Sequence, residues 1–196
     1  MSMPHRTQES RRETTRKALL EAARRFFVER GYSATGTPEL VAEAAVTRGA
    51  LYHHFQDKSD LLMAVATDMA FEVAAAVAAS TPPDLPPLQA MQEGSHAYFA
   101  AMADGGRARV LLVDAPAVLS PAQLAKLSEA AGADELRHGL KACLRAGRDA
   151  PVDELGSLLS AAFDRAARAV ADGEDPTRWT TAMDLLVGAV AADLAH

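Results

Sequence analysis

The chain has little of several things, and each scarcity narrows what it can be. It has one cysteine, Cys143, in 196 residues, which excludes an internal disulfide and suits a reducing compartment. Aromatic residues make up 5% of the chain while 49% is hydrophobic, so the core must be built from Ala, Leu and Val. No run approaches the ~18 uninterrupted apolar residues of a membrane span, and no signal peptide opens the chain. A cytoplasmic protein with no membrane partner is therefore expected. There is no Gly-rich phosphate loop, no nucleophile elbow and no Cys–His pair in a recognisable setting. Catalytic residues and cofactors are expected to be absent. Cys143 falls mid-helix among Ala and Leu, where a thiol reads as buried and inert.

Long Ala/Leu-rich segments punctuated by Pro and Gly predict an all-α fold. Residues 1 to 12 are polar and basic and read as an arm. The patterning then predicts a helix from Glu13 to Arg30, ended by Gly31, and two short helices over 37–55. A further helix runs from after Asp57 toward Ser80. Thr81-Pro82-Pro83-Asp84-Leu85-Pro86-Pro87 is the clearest break, because each proline lacks an amide donor and restricts its predecessor. Beyond it come helices over 88–103 and 107–114 (ended by Pro116), then one from Ser120-Pro121 to Gly132. The last three expected are 133–146, one opened by Pro151-Val152-Asp153 and running to 171, and one opened by Asp175-Pro176 and running to about 195.

Net charge is −6 but unevenly spread. Residues 1 to 60 hold 10 Lys/Arg and 8 Asp/Glu, a balance of +2, leaving 10 basic and 18 acidic groups beyond, a balance of −8. The acid lies in the part that need not approach phosphate. That permits nucleic-acid binding without arguing for it.

The most informative stretch is GYSATGTPELVAEAAVTRGALYHHFQDKSDLL, residues 31 to 62. Thr37 can cap a first short helix, with Pro38 and Glu39 in its first turn. Leu40, Val41 and Ala44 face inward, Val46 sits in the turn, and Thr47 can cap a second helix. Leu51 and Phe55, four apart, bury that helix's inner face. Arg48, Gly49, Ala50 and His53 are left outward, with Tyr52 and His54 on the flanks. A small protruding helix beginning with Arg has the shape that enters a DNA major groove. Arg48 can read a guanine bidentately, and Ala50 can touch a thymine methyl. The Tyr52 hydroxyl and His54 suit phosphates, and His53 a base edge or phosphate. Thr35, Thr37 and Thr47 are caps first and phosphate donors second. His53 and His54 invite a metal reading, but adjacent helical side chains point about 100° apart and cannot converge on one ion. No metal site is expected.

Gly31-Tyr32, Thr35/Thr37, Leu40-Val41-Ala42, the run from Val46 to Phe55 and Lys58 together resemble the DNA-binding domain of the tetracycline-repressor (TetR) family. The resemblance covers about residues 14 to 65, and its L-Y-x-H-F-x-x-K core followed by Leu61-Leu62 is specific. One position departs: the turn usually carries Gly, and Ala45 stands there. If it is left-handed, Ala costs roughly 1 kcal/mol over Gly. The resemblance implies a helix-turn-helix domain (1–57) joined by a fourth helix to a ligand-binding and dimerisation domain (58–196). It also assigns Lys58, at a helix N-terminus where a cation is otherwise disfavoured, to a DNA phosphate.

In the last two helices Leu155, Leu158, Leu159, Ala162, Phe163, Ala166 and Val170 form one stripe. Trp179, Ala182, Met183, Leu186, Val190 and Leu194 form another. The pattern fits an intramolecular hairpin as well as a dimer interface. The resemblance favours a four-helix homodimer interface through Leu155, Leu158, Leu159, Ala162, Ala166, Met183, Leu186 and Val190. Met91, Phe99, Met102, Leu112 and Phe163, with His96 or Asp114 as polar anchors, either fill the core or line a cavity. The resemblance prefers a cavity for a small apolar effector. Charged effectors should bind poorly, since no Arg or Lys converges on these residues. The expected function is a DNA-binding transcriptional regulator, a ligand-responsive repressor on double-stranded, near-palindromic operator DNA. The alternative is a small-molecule-binding helical dimer with non-specific or vestigial DNA binding.

Overall fold

In a computed structural model, which describes residues 8–195, ten helices carry the fold and no strand occurs among the described residues. Helix α1 (Gln8–Arg30) repeats apolar residues at helical spacing and buries Leu19, Ala22, Ala23, Phe26 and Phe27. It begins earlier than expected. Residues 8–12 are helical; the rest of the expected arm, residues 1–7, lies outside the described residues. Gly31, at φ +86°, ends α1 as the Gly31 amide donates to Phe27 O.

Helices α2 (Thr37–Glu43) and α3 (Arg48–His54) follow. The α2 cap is Gly36 rather than Thr37, which is already the first helical residue. Gly36 has extended backbone, and Glu39 reaches back to accept from its amide at 3.3 Å, so no hydroxyl is needed there. Thr47 caps α3 as expected, its Oγ1 accepting from Ala50 N at 3.1 Å. Between the two helices Ala45 is left-handed at φ +52°, and Val46 N donates to Val41 O, closing α2 as a Schellman turn.

Helix α4 (Lys58–Ser80), capped by Asp57, buries Leu61, Leu62, Val65, Ala66, Met69, Ala70 and Val73. By length and composition it could cross a membrane. Here those side chains are enclosed by protein, because α4 packs against α1 on one side and α5 (Pro87–Ala103) on the other. The proline segment is irregular, as its missing donors require.

Helix α6 spans Arg107 to Val118, with Val110–Asp114 wound as a π-helix. Pro116 does not end it, contrary to expectation. The Ala115 amide bonds Val110 O, five residues back, and the widened turn carries the chain past the proline. Helix α7 (Pro121–Ala130) opens with a Ser120–Gln123 capping box. Helix α8 (Ala133–Cys143) stops three residues short of expectation, so Cys143 is its last residue, half-buried rather than mid-helix. Burial pushes its thiol pKa up, which keeps it protonated. Helices α9 (Val152–Ala171) and α10 (Pro176–Ala195) complete the chain.

Two buried clusters meet along α4. The first joins α1 to α4 with Val110, Ala115, Leu119 and Leu127; the second joins Val73 with Met91, Phe99, Met102, Leu159, Phe163, Met183 and Val187. Leu111 packs on both, which places α6 between them.

Candidate nucleic-acid interface and internal cavity

On α3 the inner face is Leu51, closed by Phe55 just beyond, both buried. Arg48, Gly49, Tyr52 and His53 are exposed together, with Ala50 and His54 half-buried beside them. The Arg48 guanidinium lies 5.5 Å from the Tyr52 ring centroid, within the range of a cation–π contact. Tyr52 is 44% exposed, so its ring is presented at the surface. Arg12 and Arg16 of α1 lie near His54. Burial first, then His53 and these two arginines, push the His54 imidazole below its ordinary pKa. The neighbouring cations disfavour a further charge on the ring.

Two expected phosphate contacts look inward instead. Thr35 is 1% exposed and its hydroxyl donates to Gly31 O at 2.8 Å. It holds the α1–α2 loop closed and has no path to a phosphate. The Lys58 ammonium donates to Tyr32 O at 2.9 Å and to Thr35 O at 3.0 Å, and lies 3.9 Å from the Tyr32 ring centroid. Carbonyl oxygens and a ring face thus compensate the cation that a helix N-terminus disfavours.

The same loop is held from the other domain. Tyr32 N donates to Asp114 Oδ2, and Arg109 donates to Arg30 O at 3.0 Å. The Arg109 guanidinium lies where a Cβ on Gly31 would be and would have to move aside for one, while the positive φ at Gly31 itself favours glycine. Behind it, Glu72 of α4 bonds Arg24 of α1 and Arg107 of α6 together, the Arg107 Nε contact being 3.0 Å. The two arginines hold the Glu72 carboxyl down at about 2.

Asp114 is therefore a junction residue and not a cavity anchor. The cavity itself exists, about 960 Å³ between α4, α5, α6, α7, α8 and α9, within the range that encloses small ligands. Met91, Met102, Leu112 and Phe163 line it as expected. Phe99 does not; it is buried behind, its ring 5.7 Å from Phe163. Nor does His96, which faces outward and pairs with Asp184 of α10 at 3.0 Å. Polar groups on the wall include instead Tyr98 and Asp164, the Tyr98 hydroxyl donating to Asp164 Oδ1 at 2.7 Å. Arg165 and Arg168 also reach the cavity wall, correcting the expectation that no cation comes near.

On the last two helices the expected interface divides. Leu159, Ala166 and Met183 are buried within the subunit's own core and cannot face a partner. Leu155, Ala162 and Val190 are half-buried against that core. Leu158 and Leu186 do face outward, at 68% and 41% exposure, and Leu185, at 71%, was missed.

Two family descriptions fit this architecture. A model of bacterial regulatory proteins of the tetR family matches residues 19–65. A tetracyclin repressor-like C-terminal domain matches residues 88–192, more than half of the chain. The chain belongs to the TetR family of transcriptional regulators. The HTH-type transcriptional repressor Rv1474c of Mycobacterium tuberculosis is 30% identical over 175 residues, 89% of this chain and 92% of that one. The Tn10 TetC protein of Escherichia coli is 47% identical over 51 residues; the match spans only 26% of either chain. A TetR-family regulator from Pectobacterium atrosepticum superposes with a TM-score of 0.70 at 30% identity, covering 96% of this chain and 97% of that one.

The chain is thus a DNA-binding transcriptional regulator, in a family of regulators rather than enzymes. Sequence reasoning missed Arg12, Arg16, Arg109 and the Tyr98–Asp164 pair. The first two were legible as a basic stripe on α1. Nothing local marks the others, which are defined by partners far away in sequence.

Proposed function

We propose that this TetR-family regulator is a ligand-responsive repressor acting as a cytoplasmic homodimer on a near-palindromic operator. Residues 1–57 form the DNA-binding domain and 58–196 the ligand-binding and dimerisation domain. Arg48 reads a base edge in the major groove while Gly49 and Ala50 admit the groove floor. Thr37, Thr47, Tyr52, His53 and His54 position α3 against phosphates and neighbouring bases. Outward Leu158, Leu185 and Leu186 join the subunits, spacing two recognition helices about 34–36 Å apart.

The observation that carries ligand response is the double role of α6. Its Leu111 and Leu112 wall the cavity while its Arg109 and Asp114 hold the Arg30–Tyr32 loop. A ligand that binds better to a shifted α6 changes the setting of the helix-turn-helix by that difference in affinity, typically ~1–3 kcal/mol. Helix α6 thereby joins α4, the helix linking the two domains, as a route from cavity to helix-turn-helix. The effector is a small molecule, largely apolar, with Tyr98 and Asp164 as its polar anchor.

The test is titration of operator variants, selected from random duplexes, with wild type and Arg48→Ala. The variant should lose ~1–3 kcal/mol at one base position of each half-site. A uniform loss across all sequences would overturn the base-reading role.

A further inference from the structure

Among the charged groups on the cavity wall, two carboxylates stand without a cation. Asp164 has Oδ1 engaged by the Tyr98 hydroxyl and makes no ion pair among the described residues. Glu135, on α8, lines the same space and makes no ion pair among the described residues. The two arginines there each face an acid already: Arg165 meets Glu174 at 3.7 Å and lies over Trp179, and Arg168 meets Asp172 at 4.0 Å. His138 completes the ionisable set. The rest of the wall is mostly apolar, with the Tyr98 and Phe163 rings 5.7 Å apart.

We propose that the cavity selects a lipophilic cation: an apolar or aromatic body bearing one positive charge, which sits against Asp164 while the body lies on Tyr98 and Phe163. This rests on the reading of the cavity as an effector site and gives that effector its chemical class. Asp164 is reachable by solvent yet walled by protein, as a group lining an open cavity is. Burial pushes its pKa up, and the Tyr98 bond only opposes that; burial, then Asp164, pushes the Tyr98 hydroxyl up in turn. The carboxylate is exposed to the cavity and has no counter-charge within ion-pair distance among the described residues. A bound cation supplies one, and ring faces attract it further. A neutral ligand leaves the deficit, and an anion deepens it.

The test compares three naphthalene probes with the full-length protein by calorimetry and by thermal shift. They are (naphthylmethyl)trimethylammonium, its neutral analogue with carbon in place of nitrogen, and naphthylacetate. The cation should bind at least about tenfold tighter than the neutral analogue, with the anion weakest. Asp164→Asn should bring the cation to the neutral level and shift the neutral probe less than about threefold. Tyr98→Phe, which frees the second oxygen of Asp164, should preserve or raise the preference for the cation. It keeps the test open if Asp164→Asn fails to fold. Neutral or anionic probe binding as well as the cation, or preference surviving in Asp164→Asn, overturns the proposal. If the neutral probe binds and Phe163→Trp blocks it, the effector-cavity reading stands while the cation falls. If none of the three binds, both fall.

Discussion

Asp114 and Tyr32 lie 82 positions apart in sequence and meet at the junction between the cavity and the helix-turn-helix, the Tyr32 amide donating to Asp114 Oδ2 at 3.1 Å. The bond is half-buried and charge-assisted, a class contributing ~1.5–3 kcal/mol when fully made. It joins a π-wound segment, where backbone hydrogen bonds are already rearranged, to the loop that starts the DNA-binding helices.

Asp114→Ala should therefore release the loop without unfolding the protein. Hydrogen exchange is expected to speed up at the Tyr32 amide, with little change at the amides of α9. Operator affinity should become less sensitive to a cavity ligand, because the link from α6 is cut. Unchanged exchange at Tyr32 would show that Arg109 and Lys58 hold the loop alone.

Acid should weaken the α1–α4–α6 tie. Glu72 has a folded pKa of about 2 against an ordinary 4.5. A carboxylate lowered on folding stabilises above its unfolded pKa, and the contribution disappears as pH falls from about 4.5 toward 2. The Glu72 side chain is 37% exposed, so solvent screening limits the contribution to about 1 kcal/mol. Glu72→Gln should lower the melting temperature at neutral pH and converge with wild type near pH 2. A constant difference across that window would mean that the loss is one of packing.

The helix-turn-helix was readable because its signals are local. Thr47 and Asp57 cap where their spacing predicts, and Leu40, Leu51 and Phe55 are buried as their periodicity requires. The family pattern supplied what periodicity could not, the identity of the outward face. What the sequence concealed depends on distant partners. Lys58 reads as a phosphate ligand until Tyr32 and Thr35 are seen to offer carbonyls to it. Thr35 reads as a surface hydroxyl until it is seen donating a hydrogen bond to the Gly31 carbonyl. In the cavity Phe163 was legible as an aromatic on an apolar stripe, while Asp164 beside it acquires meaning only from Tyr98 on another helix. Leu158 and Leu159 are chemically equivalent, and only the direction of α9 against α5 and α8 separates them.

Ala45 gives the simplest stability test. It is the only non-glycine residue with positive φ among the described residues, at +52°, and its side chain is exposed. An L-residue there costs roughly 1 kcal/mol relative to glycine, partly offset by the larger unfolded-state freedom of glycine. Ala45→Gly should raise stability by about 0.5–1 kcal/mol in denaturant titration, with the slope unchanged. A lower midpoint would mean that the turn relaxes away from the left-handed region in solution.

The dimer reading is tested by neighbours on one helix. Leu158 is 68% and Leu185 71% exposed, whereas Leu159 is 3% exposed in the subunit core. If the exposed leucines meet their copies across a two-fold axis, a charge there meets a like charge and loses apolar contact at once. Leu158→Glu and Leu185→Glu should each give a folded monomer of unchanged helicity, whose operator binding needs far higher protein concentration. Leu159→Glu should instead unfold the C-terminal helices, because an isolated carboxylate would be buried among Leu140, Phe163 and their neighbours. Sedimentation and circular dichroism separate the two results. Wild-type protein sedimenting as a monomer at micromolar concentration would remove the dimer, and the two-fold operator with it.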